Sequence, residues 1–164
     1  MTNHEFFIQR YTYEHPIFVK ICEAVPADQL EWRPHQKSRS AKELVGHLIG
    51  HEQDLVELAD DGVINHRNQV PFTSVAQGVE LYRQTHRTLA EKLSTLDDRT
   101  WDEKPAKFLA DGHLIAEMPY SGLMWMLFFD SIHHRGQLST YLRPMGGTVP
   151  SIYGPSGDDE GSAH

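Results

Sequence analysis

A single cysteine, Cys22, occurs in the 164 residues of the chain. One thiol cannot close an internal disulfide, which fits a reducing compartment. Cys22 falls in an apolar helical register and is read as a small core residue. Runs of lysine and arginine are missing too: 15 basic residues face 23 acidic ones, for a net charge of −8. That balance argues against nucleic acid or a membrane surface as partner, because both are held through basic patches. No apolar run is long enough to span a bilayer, and the N-terminus shows no basic segment followed by an apolar one. The expectation is a soluble, cytoplasmic protein. A Gly-rich phosphate loop, a nucleophile elbow and a His-Glu-x-x-His motif are also absent, which removes the commonest local signatures of nucleotide, acyl-transfer and zinc-protease chemistry.

What the chain does have is apolar material for one core, at 39% of its residues, and eleven histidines. Its length suits one domain. Residues 4–25 carry Phe6, Phe7, Tyr13, Ile17, Ile21 and Val25 near three- and four-residue spacing, with Pro16 as an interruption or bend. Ser40 with Glu43 three residues on is a capping box opening a second helix over 41–60, with Leu44, Val45, Leu48, Ile49 and Leu55 on its stripe and Gly62 as its stop. A loop is expected over 63–73. A third helix over 74–96 turns Val79, Tyr82, Leu89 and Leu93 inward and closes at Asp97-Asp98. Asp111-Gly112 between two short, partly apolar runs predicts a β-hairpin over 105–118. A fourth helix runs from 119 to 142 and breaks at Met145-Gly146-Gly147.

The pattern predicts an all-α fold, a four-helix bundle with a short β-hairpin inserted between helices 3 and 4. Residues 1–149 are taken as the bundle and 150–164 as a Gly/Pro/Asp-rich tail, mobile unless Ile152 and Tyr153 are pinned. Methionines and aromatics over Pro119–Phe129 exceed what one core needs, which points to a subunit contact.

The fourth helix holds the sharpest anomaly. At about 100° per residue, Leu123, Leu127, Asp130, His134, Leu138 and Tyr141 share one face. A carboxylate and an imidazole therefore interrupt a core stripe, and a buried unpaired carboxylate costs several kcal/mol. Asp130 needs a partner. Either it pairs with His134 as a structural unit, or both hold a metal ion. On the second helix His47 and His51 lie one turn apart at the edge of the stripe. Metal sites in helical bundles are assembled from inward-facing His and carboxylate side chains on different helices. Two imidazoles and a carboxylate make a recurring ligand set that leaves positions open for water or substrate. Glu52 is a candidate to orient a ligand imidazole or pair with an arginine, and His133 points off the face. His4, His15, His35, His66, His86, His113 and His164 have no spacing that marks a site and are read as surface residues.

The run Asp130-Ser-Ile-His-His-Arg-Gly-Gln-Leu-Ser-Thr-Tyr-Leu-Arg resembles the C-terminal signature of the DinB/YfiT-like family, the DNA-damage-inducible DinB-like proteins, which are distinct from the translesion polymerase of the same name. Leu30-Glu-Trp-Arg-Pro followed by Ser40-Ala-Lys-Glu-Leu-Val-Gly-His47 resembles the family's first signature, and Val149-Pro-Ser-Ile-Tyr-Gly-Pro its tail. The resemblance spans nearly the whole chain. It implies an up-down-down-up four-helix bundle, often a homodimer. It also implies a divalent metal (zinc, nickel, manganese or iron) on three residues, usually all histidine. Carried over, these are His47, Asp130 and His134, with Asp130 standing where the family commonly has histidine. That change hardens the ligand set toward oxygen, and His51 is the reserve donor. Relatives that transfer low-molecular-weight thiols imply a thiol as second cofactor and a small-molecule electrophile as substrate. The alternative is a non-catalytic metal-binding or stress-responsive bundle.

Overall fold

A computed structural model describes residues 1–159 of the chain. It is mostly helical, with one small sheet: α1 (Asn3–Glu23), α2 (Ala41–Asp61), β1 (Val63–Asn65), α3 (Val75–Thr95), α4 (Asp98–Glu103), β2 (Pro105–Ala110), β3 (His113–Pro119) and α5 (Tyr120–Leu142). The four long helices match the four periodic segments to within two residues at each end. Pro16 lies inside α1 without ending it. The expected capping box is present at α2: Glu43 N donates to Ser40 Oγ at 3.2 Å, and Ser40 N donates to the Glu43 carboxylate at 2.7 Å. It fixes the start of the helix that carries His47 and His51.

Helix α2 packs against both α3 and α5, and α1 packs against the same two, so the core runs between all four. Phe7, Ile21, Leu48, Ile49, Leu89, Leu123 and Leu138 are fully buried there. Cys22 is buried among them, and burial pushes its thiol up to about 12, as suits an inert core residue. No helix among the described residues is long and apolar enough to cross a membrane.

Strands β2 and β3 pair antiparallel from Pro105 opposite Pro119 to Ala110 opposite His113. Asp111 and Gly112 have φ of 50° and 77°, the left-handed pair that a two-residue hairpin turn demands. Two elements differ from expectation. Residues Val63–Asn65, expected in a loop, form a third strand parallel to β2, with Ile64 opposite Phe108. Three residues are too few to show a period of two. Asp97, expected to close the third helix, instead caps the short α4 by accepting from Thr100 N at 2.9 Å. The tail is tied down as far as it is described: Ile152 packs on the core, Tyr153 Oη donates to Glu14 at 3.0 Å, and Asp158 accepts from Val149 N at 2.8 Å.

Candidate metal centre

On α2 the sequence Gly46-His47-Leu48-Ile49-Gly50-His51 sets a glycine before each histidine. The loop after β1 crosses α2 at these glycines. A Cβ on Gly46 would lie 2.7 Å from Val70 O, and one on Gly50 would lie 2.6 Å from Arg67 O. Only glycine admits a backbone this close. Val70 N also donates to Gly46 O at 2.9 Å. The contact brings Asn68 O to 2.5 Å from His47 Nδ1. A carbonyl only accepts, so Nδ1 carries the proton, and the Nε2 of His47 holds a lone pair.

Three more rings have Nδ1 engaged in the same way. His134 Nδ1 donates to Gln137 Oε1 at 2.7 Å. His66 Nδ1 donates to Asp54 Oδ2 at 2.7 Å. Ser131 Oγ bonds to Leu127 O at 2.9 Å and engages His51 Nδ1 at 3.1 Å, in a direction that follows the tautomer of the ring. In each case the outer nitrogen is engaged and Nε2 is left as donor atom. Such bracing of the far ring nitrogen is how metal-bound histidines are oriented.

Asp130 stands among these rings. Its Oδ2 is 3.3 Å from His134 Nε2 and 3.4 Å from His51 Nε2. Its side chain is 46% exposed, so the carboxylate lines an open pocket and does not sit in the core as the helical stripe suggested; Leu123, Leu127, Leu138 and Tyr141 are the buried members of that face. A neutral imidazole lone pair facing a carboxylate oxygen is unfavourable unless a cation lies between them. Without a metal the cation is a proton. Burial pushes the His134 imidazole down, but its hydrogen bond and charge contact with Asp130, helped by Gln137, outweigh that and hold it above its ordinary value. The hydrogen bond with His134 holds the Asp130 carboxyl down at about 2. Burial lowers His47 to about 4, with Arg39 adding to it, and lowers His51 to about 3, with His47 adding to it. These two stay neutral and available as donors at pH 7.

His47, Asp130 and His134 offer ligand atoms within 4.8 Å of one another, and so do His47, His51 and His66. Three ligands of one ion with bonds near 2.1 Å stand about 3.4–3.6 Å from one another, so side-chain shifts of up to about 0.7 Å each close either group on a cation. The donor chemistry fits a divalent metal. The cavity around it is about 680 Å³, walled by Phe108, Ile115, Met126 and Phe129, with Arg39 and His133 also on its lining. That size suits a small molecule.

The structure thus brings together every residue singled out as a candidate ligand, with His51 beside them. Glu52 does neither thing expected of it. It points away from the pocket and accepts from Tyr11 Oη and Tyr82, with His86 Nδ1 3.8 Å away; burial pushes it up to about 7. Four histidines read as surface residues are not. His4 and His86 are buried, His15 stacks on His86 at 3.6 Å, and His66 lines the same pocket as the candidate ligands. His35 and His113 are exposed as expected, and His164 lies outside the described residues. His66 was missed because it follows a strand and shares no helical spacing with His47. The two glycines preceding His47 and His51 were the signal that a loop crosses there.

With the geometry in place, comparison with known proteins adds a family. A family model described as "DinB family" matches residues 1–161. The Bacillus subtilis (strain 168) protein YrdA is 24% identical, over 94% of this chain and 90% of its own length. Two crystal structures share the fold. A DinB-like protein from Bacillus cereus has a TM-score of 0.74 at 24% identity, covering 91% of this chain and 97% of that one. The DinB-like protein YjoA from Bacillus subtilis has a TM-score of 0.71 at 19% identity, with the same two coverages.

The electrostatics make a prediction for metal-free protein. The His134–Asp130 attraction exists while His134 is charged and Asp130 ionised. Asp130, with its pKa depressed, contributes stability that is present above its unfolded value near 3.8 and lost as pH falls through about 2. His134, with its pKa raised, contributes stability that is full below about 6.5 and lost as pH rises through its folded value. In chelator-treated protein, NMR titration of the ring should show His134 titrating above pH 6.5, and Asp130→Asn should move it lower. A His134 midpoint unchanged in Asp130→Asn would contradict this arrangement.

Proposed function

The chain belongs to the DinB family, and from that premise we propose that it is a metal-dependent enzyme, a transferase or hydrolase acting on a small-molecule electrophile in the cytoplasm. His47, Asp130 and His134 are the ligands. The observation that carries the reading is the convergence of their metal-ready atoms, each imidazole with its far nitrogen already engaged, on one side of a small-molecule cavity. The scaffold is an up-down-down-up four-helix bundle with the hairpin folded over the site. The packing of α1 and α2, each on both α3 and α5, supports it.

A divalent ion bound there lowers the pKa of a thiol or a water and supplies a nucleophile at neutral pH. Zinc, nickel, manganese and iron all accept this ligand set, and the second cofactor is a low-molecular-weight thiol. The chain's own residues do the rest. Asn68 O and Gln137 Oε1 lock the two ligand rings in the tautomer that presents Nε2. Phe108, Ile115, Met126 and Phe129 hold the apolar part of the substrate and exclude water from one side.

The functional unit is proposed to be a homodimer. Phe129 is 60% exposed and Phe6 39%. Both line a groove of about 310 Å³ between α1 and α5, together with Trp125, Phe128 and Ile132. Phe129 also walls the metal pocket, so a partner on this face would narrow the pocket mouth. Light scattering at micromolar concentration should report a dimer, and Phe129→Asp should shift it to monomer; a wild-type protein that is monomeric at that concentration would remove the dimer from the account.

Metal titration with competing chelator tests the ligand assignment. Asp130→Ala should weaken binding by orders of magnitude, and Asp130→His should restore it, because an imidazole from that position reaches the same ion. Thermal stability should follow occupancy, since an ion bound only by the folded state stabilises it by mass action. Undiminished affinity in Asp130→Ala would defeat the assignment of Asp130. Activity that survives chelation would contradict metal dependence, and metal-loaded protein inactive in both thiol-transfer and hydrolysis assays would leave the non-catalytic alternative.

A further inference from the structure

His66 lies outside the three residues assigned above, and the fold alone does not call for an imidazole there. Its backbone N–H donates to Leu109 O at 2.8 Å as the chain leaves β1, so the sheet sets its position independently of α5. Its ring stands 5.7 Å from that of His47 and 5.8 Å from that of His51, and packs against Phe108 at 5.2 Å.

Behind it stands Asp54 on α2, whose side chain is fully buried. A buried carboxylate is costly unless neutralised and hydrogen-bonded. Arg67 already does both, with Nη1 at 3.0 Å and backbone N at 3.2 Å from Asp54 Oδ1. Anchoring the loop therefore needs only Arg67. What the further bond to His66 Nδ1 achieves is to fix the ring's tautomer and aim: Nε2 keeps its lone pair on the side where the donors of His47 and His51 gather within 4.8 Å. A carboxylate holding the far nitrogen of an imidazole is the usual support of a metal-bound histidine.

We propose that His66 is a further metal donor and Asp54 its positioning residue, so that the ion on His47, Asp130 and His134 is also reached from the β1 side by an imidazole group, His47, His51 and His66. The proposal rests on the metal reading above. His47 belongs to both groups, and one Nε2 binds one ion, so the two groups cannot each hold an ion of their own at once. The added imidazoles offset the hardening introduced by Asp130 and turn the site's preference toward zinc, nickel or iron and away from manganese.

The test is a chelator-competition titration with zinc(II), with manganese(II) for comparison, together with the absorption spectrum of the cobalt(II)-loaded protein. His66→Ala should weaken zinc binding by about 10–100-fold, alter the cobalt spectrum and reduce the preference for zinc over manganese. Asp54→Asn should weaken zinc in the same direction, and most of that effect should vanish in a His66→Ala background, because Asp54 acts chiefly through that ring. The weak binding left in Asp130→Ala should fall again in the double variant with His66→Ala. His66→Phe, which keeps the packing on Phe108 without a donor, should behave as His66→Ala does and so separates ligation from folding. Zinc affinity and a cobalt spectrum unchanged in both His66 variants would overturn the proposal while leaving the first three ligands in place. A wild-type protein that binds neither ion would overturn both readings.

Discussion

His47, His51, His66 and His134 line one cavity with the Asp130 carboxylate, and each of the four imidazoles has its far ring nitrogen engaged. Such an arrangement repels itself unless a cation stands within it. Most of the local architecture exists to hold the arrangement against that repulsion. Gly46 and Gly50 let the loop after β1 lie directly on α2, so that Asn68 O can engage His47. Ser131, Gln137 and Asp54 engage the other three rings. Without a metal, His134 carries the cation as a proton. With one, the ion takes that place, and the whole ring of braces becomes its outer shell.

The rest of the polar interior is kept apart from this centre. Glu52 is adjacent to His51 in sequence but belongs to a second buried cluster with Tyr11, Tyr82 and His86, between α1, α2 and α3. A third group joins the ends of the chain: Arg135 pairs with Glu14 on α1 and donates to Tyr153 Oη at 2.6 Å, while its guanidinium lies over Phe18. Arg135 follows His134 directly. The tail is thus fastened to the same turn of α5 that presents a candidate ligand, and the register of α5 is fixed from α1 and from the tail at once.

Much of this was legible in the sequence, and the reasons differ by element. The helices were plain because their apolar spacing persists over some twenty residues, and α2 also carried its capping box. The hairpin was plain because Asp111-Gly112 is a turn with a backbone requirement. Asp130 and His134 stood out because a charge or an imidazole on an apolar stripe needs a reason, and His47, at the edge of its stripe beside His51, was singled out by the family resemblance. What the sequence concealed was whatever depends on contacts distant along the chain. Asp130 faces a pocket because the sheet closes over one side of α5, which the helical period alone cannot show. His66 reaches the site because the loop crosses α2 at two glycines, and His86 is buried because it stacks between His15 and Tyr11. Strand β1 escaped because three residues carry no periodicity.

The central claim is that one divalent ion sits on His47, Asp130 and His134. Anomalous diffraction measured at the absorption edge of the metal, on a crystal of metal-loaded protein, tests it most directly. The account predicts a single peak in each chain within bonding distance of His47 Nε2, His134 Nε2 and an Asp130 carboxylate oxygen. A peak elsewhere in the chain, or an ordered site in which His134 Nε2 and Asp130 contact each other with no peak between them, would contradict it.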